Sequence, residues 1–384
     1  FILQQLNEAA PLLNGKNMSW GRITWGATQA LKLRVLLYNE RWDEAIAVSD
    51  GLLGKYSLHS EGETPYFDLF SGAAERANEI ILSKVRQPTS GAVATGSEVN
   101  RAFVLKGHTG GDPYVSIVPT GPLVDSYPMA NGYLIHDAGS GYVASNPYAS
   151  RDPRLAQTII YPTGKIKKLD SSTGLIEEVL YDPEDPTTIA LQQYSSAEPS
   201  PSGYVWNKYT DWSAYGLNNI TDCGTDLIIF RYAEVLLSRA EALLESRGLS
   251  SKAEVCDLID QLRNRVGAGL VPRDIYSSLD ELRHLVRNER RIEMAGEGLR
   301  YWDLLRWKIA EKNVVQNTSG MEGELYGAYM RLDGEGKNGR TVSVGGVPRR
   351  YVETRFFTAP KNYLNPIPQA QIDLNPGLIQ NEGW

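Results

Sequence analysis

The sequence predicts a mainly α fold: a solenoid of helical hairpins carrying long irregular loops with short strands. Three observations lead there. Apolar residues repeat at helical spacing near both ends of the chain. Between Gln87 and Thr225 that periodicity gives way to Gly, Pro, Ser, Asn and Tyr. Finally, 384 residues with 42% hydrophobic and 22% charged side chains can bury a core without disulfides or metal.

The elements follow in order. Ile2 to Leu13 read as a helix already under way at a first residue that is not Met, so the N-terminus is expected to be a truncation or a processed end. From Arg22 to Tyr38 the apolar positions Ile23, Ala27, Ala30, Leu31, Leu37 and Tyr38 mark a helix, widened by Leu33 and Leu36. Trp42, Ala45, Ile46, Leu52 and Leu53 mark the next, and the short Asn39–Arg41 link makes the two antiparallel. The pair resembles one tetratricopeptide unit. Later, Ile229 through Leu243 mark a helix ended by Gly248, and Val255 through Val266 one ended by Gly267. Leu279 through Ile292 mark a third, with Asp280 as candidate cap, and Leu299, Trp302, Leu305 and Ile309 a fourth. In the middle, Gln157–Tyr161 and Tyr204–Tyr209 read as short strands. The predicted organisation is one unit over 1–384. It comprises a first helical repeat region (1–86), a loop-rich insertion (87–225), late helical repeats (226–312) and an irregular C-terminal segment (313–384).

Composition narrows the function. Thirty-nine Lys+Arg against 46 Asp+Glu give a formal charge of -7, which argues against nucleic acid as the main partner. Apolar runs such as Leu227–Phe230 are far shorter than the ~20 residues of a membrane-spanning helix. With 2 Cys and 4 scattered His, nucleophile and metal chemistry lack their usual residues. No metal site, cofactor or catalytic residue is assigned. Cys223 and Cys256 are open to one disulfide or two buried thiols. The Gly334-Glu-Gly336-Lys-Asn-Gly339 run has the letters of a dinucleotide fingerprint, but the alternating Arg340–Val344 after it is a strand pattern, so a hairpin turn is expected. Glu289 and Glu293, one helical turn apart among Arg287, Arg290 and Arg291, are the best-placed carboxylate pair. Cationic neighbours hold carboxyls ionised, the reverse of what a general acid needs, so the pair reads as structural. Tyr (21) and Trp (8) against 7 Phe favour half-apolar, half-wet surfaces.

The run Arg287-Asn-Glu-Arg-Arg-Ile-Glu-Met-Ala-Gly-Glu-Gly-Leu-Arg-Tyr-Trp-Asp-Leu-Leu-Arg-Trp307 resembles the signature of the SusD/RagB family. Arg231–Glu241, Leu262–Arg265, Arg151-Asp-Pro-Arg-Leu155 and the ending from Asn365-Pro-Ile-Pro-Gln369 to Asn381 agree in order and spacing. The resemblance implies a lipid-anchored protein on the outer face of a Gram-negative outer membrane. Such proteins cap a SusC-like TonB-dependent transporter and capture oligosaccharides, or in some members peptides, without cleaving them. The anchoring cysteine would lie upstream of Phe1, together with an N-terminal portion of the family fold. A glycoside hydrolase and a protein-binding scaffold are the rival readings. By this resemblance Lys208-Tyr209 is a structural element. Glu289, Arg290, Glu293, Arg300 and Asp303 are expected to lock the late helices together, and Trp42, Tyr232, Trp302 and Trp307 to lie in the core.

Ligand contacts are expected in loops on the constant frame. The stretch Thr210 to Gly224 fits best: Trp212 and Tyr215 offer stacking faces off any helical stripe, and Asp211, Asn218, Asn219 and Asp222 offer partners for hydroxyls. Trp206 and Tyr209 rank lower, and Tyr142 and Tyr148 are the fallback. Stacking with neutral hydrogen bonds predicts binding nearly independent of salt and of divalent metal.

Overall fold

The structure, a computed structural model, describes residues 1–87, 103, 117–169, 176–181, 200–210, 223–313, 320–329 and 340–384. Three helices open the chain: α1 (Ile2–Leu13), α2 (Trp25–Tyr38) and α3 (Trp42–Asp50). The second begins at Trp25 rather than Arg22 because the Thr24 hydroxyl accepts from the Ala27 amide at 3.1 Å, capping the first turn. Ile23 therefore falls outside the helix, 58% exposed.

A short helix α4 (Pro65–Asp68) and strand β1 (Ile80–Lys84) follow. The middle region contains α5 (Gly121–Ser126), α6 (Pro153–Thr158), β2 (Ile159–Ile160), β3 (Lys165–Leu169), β4 (Ile176–Leu180) and β5 (Val205–Trp206). Strand β2 pairs with β5 and β3 with β4, both antiparallel. Gln157, expected in a strand, lies in α6. That helix starts where the Asp152 side chain accepts from the Arg154 amide and Pro153 takes the first helical position, a start signal legible in Arg151-Asp-Pro-Arg.

The late region runs β6 (Leu227–Arg231), α7 (Tyr232–Arg247), α8 (Lys252–Arg265), α9 (Leu279–Glu293) and α10 (Arg300–Arg306). Gly248 and Gly267 stand at φ 61 and 68 at the ends of α7 and α8, as expected. Ile229 does not belong to α7. In β6, Leu227 and Ile229 face outward while Ile228 and Phe230 are buried, a period of two produced by antiparallel pairing with β1. The cap of α9 is Ser278, not Asp280: its hydroxyl accepts from the Glu281 amide while Glu281 returns to the Ser278 amide, closing a capping box. Trp302 is 50% exposed on α10, not in the core, whereas Tyr232 is buried.

Strands β7 (Gly323–Tyr329), β8 (Thr341–Val344) and β9 (Val347–Arg355) form a sheet in the order β7-β9-β8, before a last helix α11 (Gln369–Leu374). The strand expected after Gly339 is β8. The turn expected at Gly334–Gly339 lies outside the described residues, and β7 and β8 do not pair with each other because β9 stands between them. The two-residue turn is Gly345–Gly346, at φ 58 and 79, between β8 and β9.

One apolar core joins the two ends of the chain. Leu33, Leu36 and Leu37 of α2 and Ala45 and Ile46 of α3 share a cluster with Leu236, Leu243, Ile259, Leu262, Leu285 and Val286 from α7, α8 and α9. Helix α3 packs against both α2 and α7. The result is a tetratricopeptide-like helical frame that also carries loops and short strands. Cys223 and Cys256 are separate buried thiols.

Candidate functional site

The carboxylate pair of the signature run is sealed. Glu289 and Glu293 are both fully buried, and their partners are not the neighbouring arginines of α9. Glu289 meets Arg154 at 2.6 Å and Arg263 at 3.0 Å. Glu293 accepts from Arg231 at 2.7 Å, Arg154 at 3.0 Å and Arg265 at 2.8 Å. Around them, Glu79 pairs with Arg231, Asp152 with Arg154, and Glu297 with Arg231 and Lys208. Despite desolvation, the surrounding guanidiniums, Arg265 and Arg231 foremost, hold the Glu293 carboxyl well below its usual range. An enclosed carboxyl that stays ionised donates no proton to a substrate. The expected locking role is present in Arg290–Asp303 (2.8 Å), which ties α9 to α10. It reaches further than expected: Arg154 ties the middle region to α9, and Arg231 ties in β6.

A candidate ligand site lies at one end of the β1–β6 ribbon. Strand β1 leads into the 88–116 stretch and β6 emerges from 211–222, and the ladder pairs Lys84 with Leu227, so both stretches are rooted at one end of the same two-stranded ribbon. Asp226 fastens this root. Its carboxylate accepts from Trp20 Nε1 (3.1 Å), Ser83 Oγ (3.0 Å) and the Arg86 amide (2.7 Å). Its own amide donates to Glu75 at 2.9 Å. Trp20 is thereby presented at the rim, with the Arg76 guanidinium 4.9 Å above its ring. Beside it opens a cleft of about 210 Å³ lined by Trp20, Arg22, Tyr56, Arg76 and Asn78. A hollow of about 640 Å³ shares Arg76, Ala77 and Asn78 and extends past Ser57–Glu61. Gly26 makes room for the Tyr56 hydroxyl, which a Cβ there would overlap. Trp20 is itself partly buried against the Tyr66–Phe70 cluster with Arg76 over its ring, so what the cleft offers a ligand is chiefly hydroxyl, amide and guanidinium donors, which suit the hydroxyls of a saccharide.

All six expected contact residues, Asp211, Trp212, Tyr215, Asn218, Asn219 and Asp222, lie outside the described residues. So does His108. The lower rank of Trp206 and Tyr209 is sound: both are buried against Phe103, and Tyr209 also meets Phe70 edge-on at 5.1 Å. Lys208 is fully buried, donating to Tyr66 and Ala295 at 2.8 Å and to Glu297 at 2.7 Å. Of the fallback residues, Tyr148 is stacked on Tyr161 at 4.7 Å with its hydroxyl on Tyr204, and Tyr142 accepts from Arg349 at 3.5 Å. Both rings are engaged within the protein. Sequence reasoning missed Trp20, Arg22, Tyr56, Arg76 and Asn78. Trp20 carried the same signal as Trp212: a tryptophan in a polar Asn-Met-Ser-Trp-Gly-Arg stretch, off any helical stripe.

The SusD family profile matches residues 78–384. The chain belongs to the SusD family. Two curated SusD-like proteins of Formosa agariphila are each 39% identical to it. One match runs over 179 residues, 45% of this chain and 29% of the relative. The other runs over 88 residues, 21% and 17%. The matched segments thus span less than a third of those relatives' own length. Among SusD-like structures, a carbohydrate-binding protein of Bacteroides fragilis shares 26% identity at a TM-score of 0.78, with 98% of this chain and 70% of that one covered. A second SusD-like protein of that organism shares 25% at a TM-score of 0.74, with 100% and 70% covered. The segments quoted as the SusD resemblance, Arg151–Leu155, Arg231–Glu241 and Arg287–Trp307, supply most of the buried ion-pair lattice, so the family signature records how the frame is held.

Proposed function

We propose that this chain captures oligosaccharide or polysaccharide at the bacterial surface and delivers it to a SusC-like TonB-dependent transporter without cleaving it. The observation that carries the reading is the likeness, over 98% of the chain, to a SusD-like carbohydrate-binding protein. The cleft beside Trp20 supports it, offering guanidinium, amide and hydroxyl donors at one end of the β1–β6 ribbon. The consumption of Glu289 and Glu293 in ion pairs supports binding over hydrolysis. In this reading a lipid anchor preceding residue 1 holds the protein at the outer membrane, and residues 1–384 act as one unit. A single melting transition in calorimetry is the expected sign of that unity, because α2, α3 and α7–α9 share one core.

The proposed contacts are Trp212 and Tyr215 as stacking rings, with Asp211, Asn218, Asn219 and Asp222 on hydroxyls, beside Trp20 at the root. Losing one stacking ring costs on the order of 1–3 kcal/mol, so Trp212→Ala, Tyr215→Ala and Trp20→Ala should each weaken glycan binding about five- to hundredfold. Trp212→Ala and Tyr215→Ala are expected to leave the melting temperature near the parent's, whereas Trp20→Ala should lower it as well, because Trp20 bonds Asp226 and packs against the Tyr66–Phe70 cluster. Calorimetric titration against a polysaccharide panel measures this, with a reducing-end assay run alongside. Release of new ends that vanishes with one carboxylate would replace capture by hydrolysis. A blank glycan panel with binding to peptides would replace the ligand.

A further inference from the structure

We propose that the cleft beside Trp20 receives the anionic group of an acidic saccharide, the carboxylate of a uronic acid or a sulfate ester. This rests on the glycan reading above and names the substrate class for that same rim. The formal charge of the chain is -7, yet the charged groups among the described residues lining this cleft are Arg22 and Arg76 alone. Neither has a carboxylate within ion-pair distance among the described residues, in a molecule whose other rim and core arginines are heavily paired. Acids stand beside the cleft rather than on its lining: Glu61 and Glu75 line the adjoining hollow, and Asp226 lies behind Trp20 and Ser83. Asp226 is saturated by Trp20, Ser83 and the Arg86 amide, and Glu75 accepts from the Asp226 amide.

Geometry adds to charge. Stacking on Trp20 at 4.9 Å holds the Arg76 guanidinium at the mouth, where its planar fork matches the paired oxygens of a carboxylate or sulfate. Tyr56 and Asn78 supply a further hydroxyl and amide on the same lining. The cleft, about 210 Å³, is smaller than the roughly 300–1,000 Å³ of pockets that enclose a whole drug-sized ligand. It suits one charged ring. The adjoining hollow of about 640 Å³ shares Arg76 and gives the rest of an oligosaccharide its path.

The test is calorimetric titration of the full chain with three trimers of matched length: galacturonic acid, sulfated galactose and neutral galactose. At low salt a charged trimer is expected to bind about tenfold or more tighter than the neutral one, the margin of a charge-assisted hydrogen bond. That margin should shrink at physiological salt, in contrast to the salt independence expected of stacking alone. The Arg22→Gln/Arg76→Gln double variant should bring the charged trimer down to the neutral trimer's affinity, and Arg76→Lys should recover part of the preference. The tighter of the two charged arms names the source of the anion. Equal binding of charged and neutral trimers overturns the acidic preference while glycan capture stands. A preference untouched in the double variant also overturns it. If no saccharide of either class binds to protein with parental thermal stability, the glycan reading falls, and this inference with it.

Discussion

Glu293→Ala is expected to destabilise the fold by about 3–5 kcal/mol, the range for removing one partner from a buried ion pair. Glu293 is fully buried, and its two oxygens accept from three guanidiniums: Arg231 at 2.7 Å, Arg265 at 2.8 Å and Arg154 at 3.0 Å. The cluster balances because Glu79, Asp152, Glu289, Glu293 and Glu297 face Arg154, Lys208, Arg231, Arg263 and Arg265, with the side chains all nearly without solvent contact. Deleting one acid strands positive charge where water cannot screen it. Glu293→Gln keeps the shape and one acceptor, so it should fall between parent and alanine. Urea midpoints of the three proteins provide the measurement. An alanine variant within about 1 kcal/mol of the parent, no worse than an ordinary surface change, would show that the lattice does not hold the frame.

Acid should unfold the protein through the same groups. The carboxyls of Glu293, Glu297, Asp152 and Glu241 are all held below their ordinary values: burial raises each, and the facing Arg265, Arg231, Arg154 and Arg306 guanidiniums outweigh it. A depressed folded-state value means that the unfolded chain binds protons more readily. Their stabilisation is therefore complete above the unfolded values, about 3.9 for Asp and 4.3 for Glu, and is lost as pH falls through those toward the lower folded ones. Lys208 acts with the same sign in a higher pH window. Burial pushes its amine down to about 8, so between there and its ordinary value the folded state holds fewer protons, and its titration adds stability as pH rises. Urea midpoints should thus drop steeply below about pH 5, with no loss from Lys208 near pH 9. A midpoint level from pH 6 to about pH 3 would sink the argument, since four linked carboxyls cannot titrate there without effect.

Helix identity and helix ends were legible because they depend on neighbours in sequence. The periodicities of α2, α7, α8 and α9 bury most of the residues expected of them, Leu31 of α2 being an exposed exception, and Gly248 and Gly267 end their helices with the positive φ their type allows. Errors arose where a local signal had two readings. Ile229 fits a helical stripe extended backward from Tyr232, but pairing of β6 with β1, from residues some 150 positions earlier in the chain, makes it an outward strand residue. Trp302 fits the α10 stripe, yet among the described residues it stays half exposed.

The sequence by itself determined the helical frame and the family, because these follow from periodicity, turn chemistry and local motifs. Only the tertiary structure decided which charges meet and where the rim lies. Glu293 faces guanidiniums from positions 154, 231 and 265, while its helical neighbours Arg290 and Arg291 point elsewhere. Trp20 gains its place through Asp226, 206 residues away. Such pairings are set by which surfaces the apolar core brings into contact, and a charge buried by that contact takes whichever opposite charge is enclosed with it, however distant along the chain.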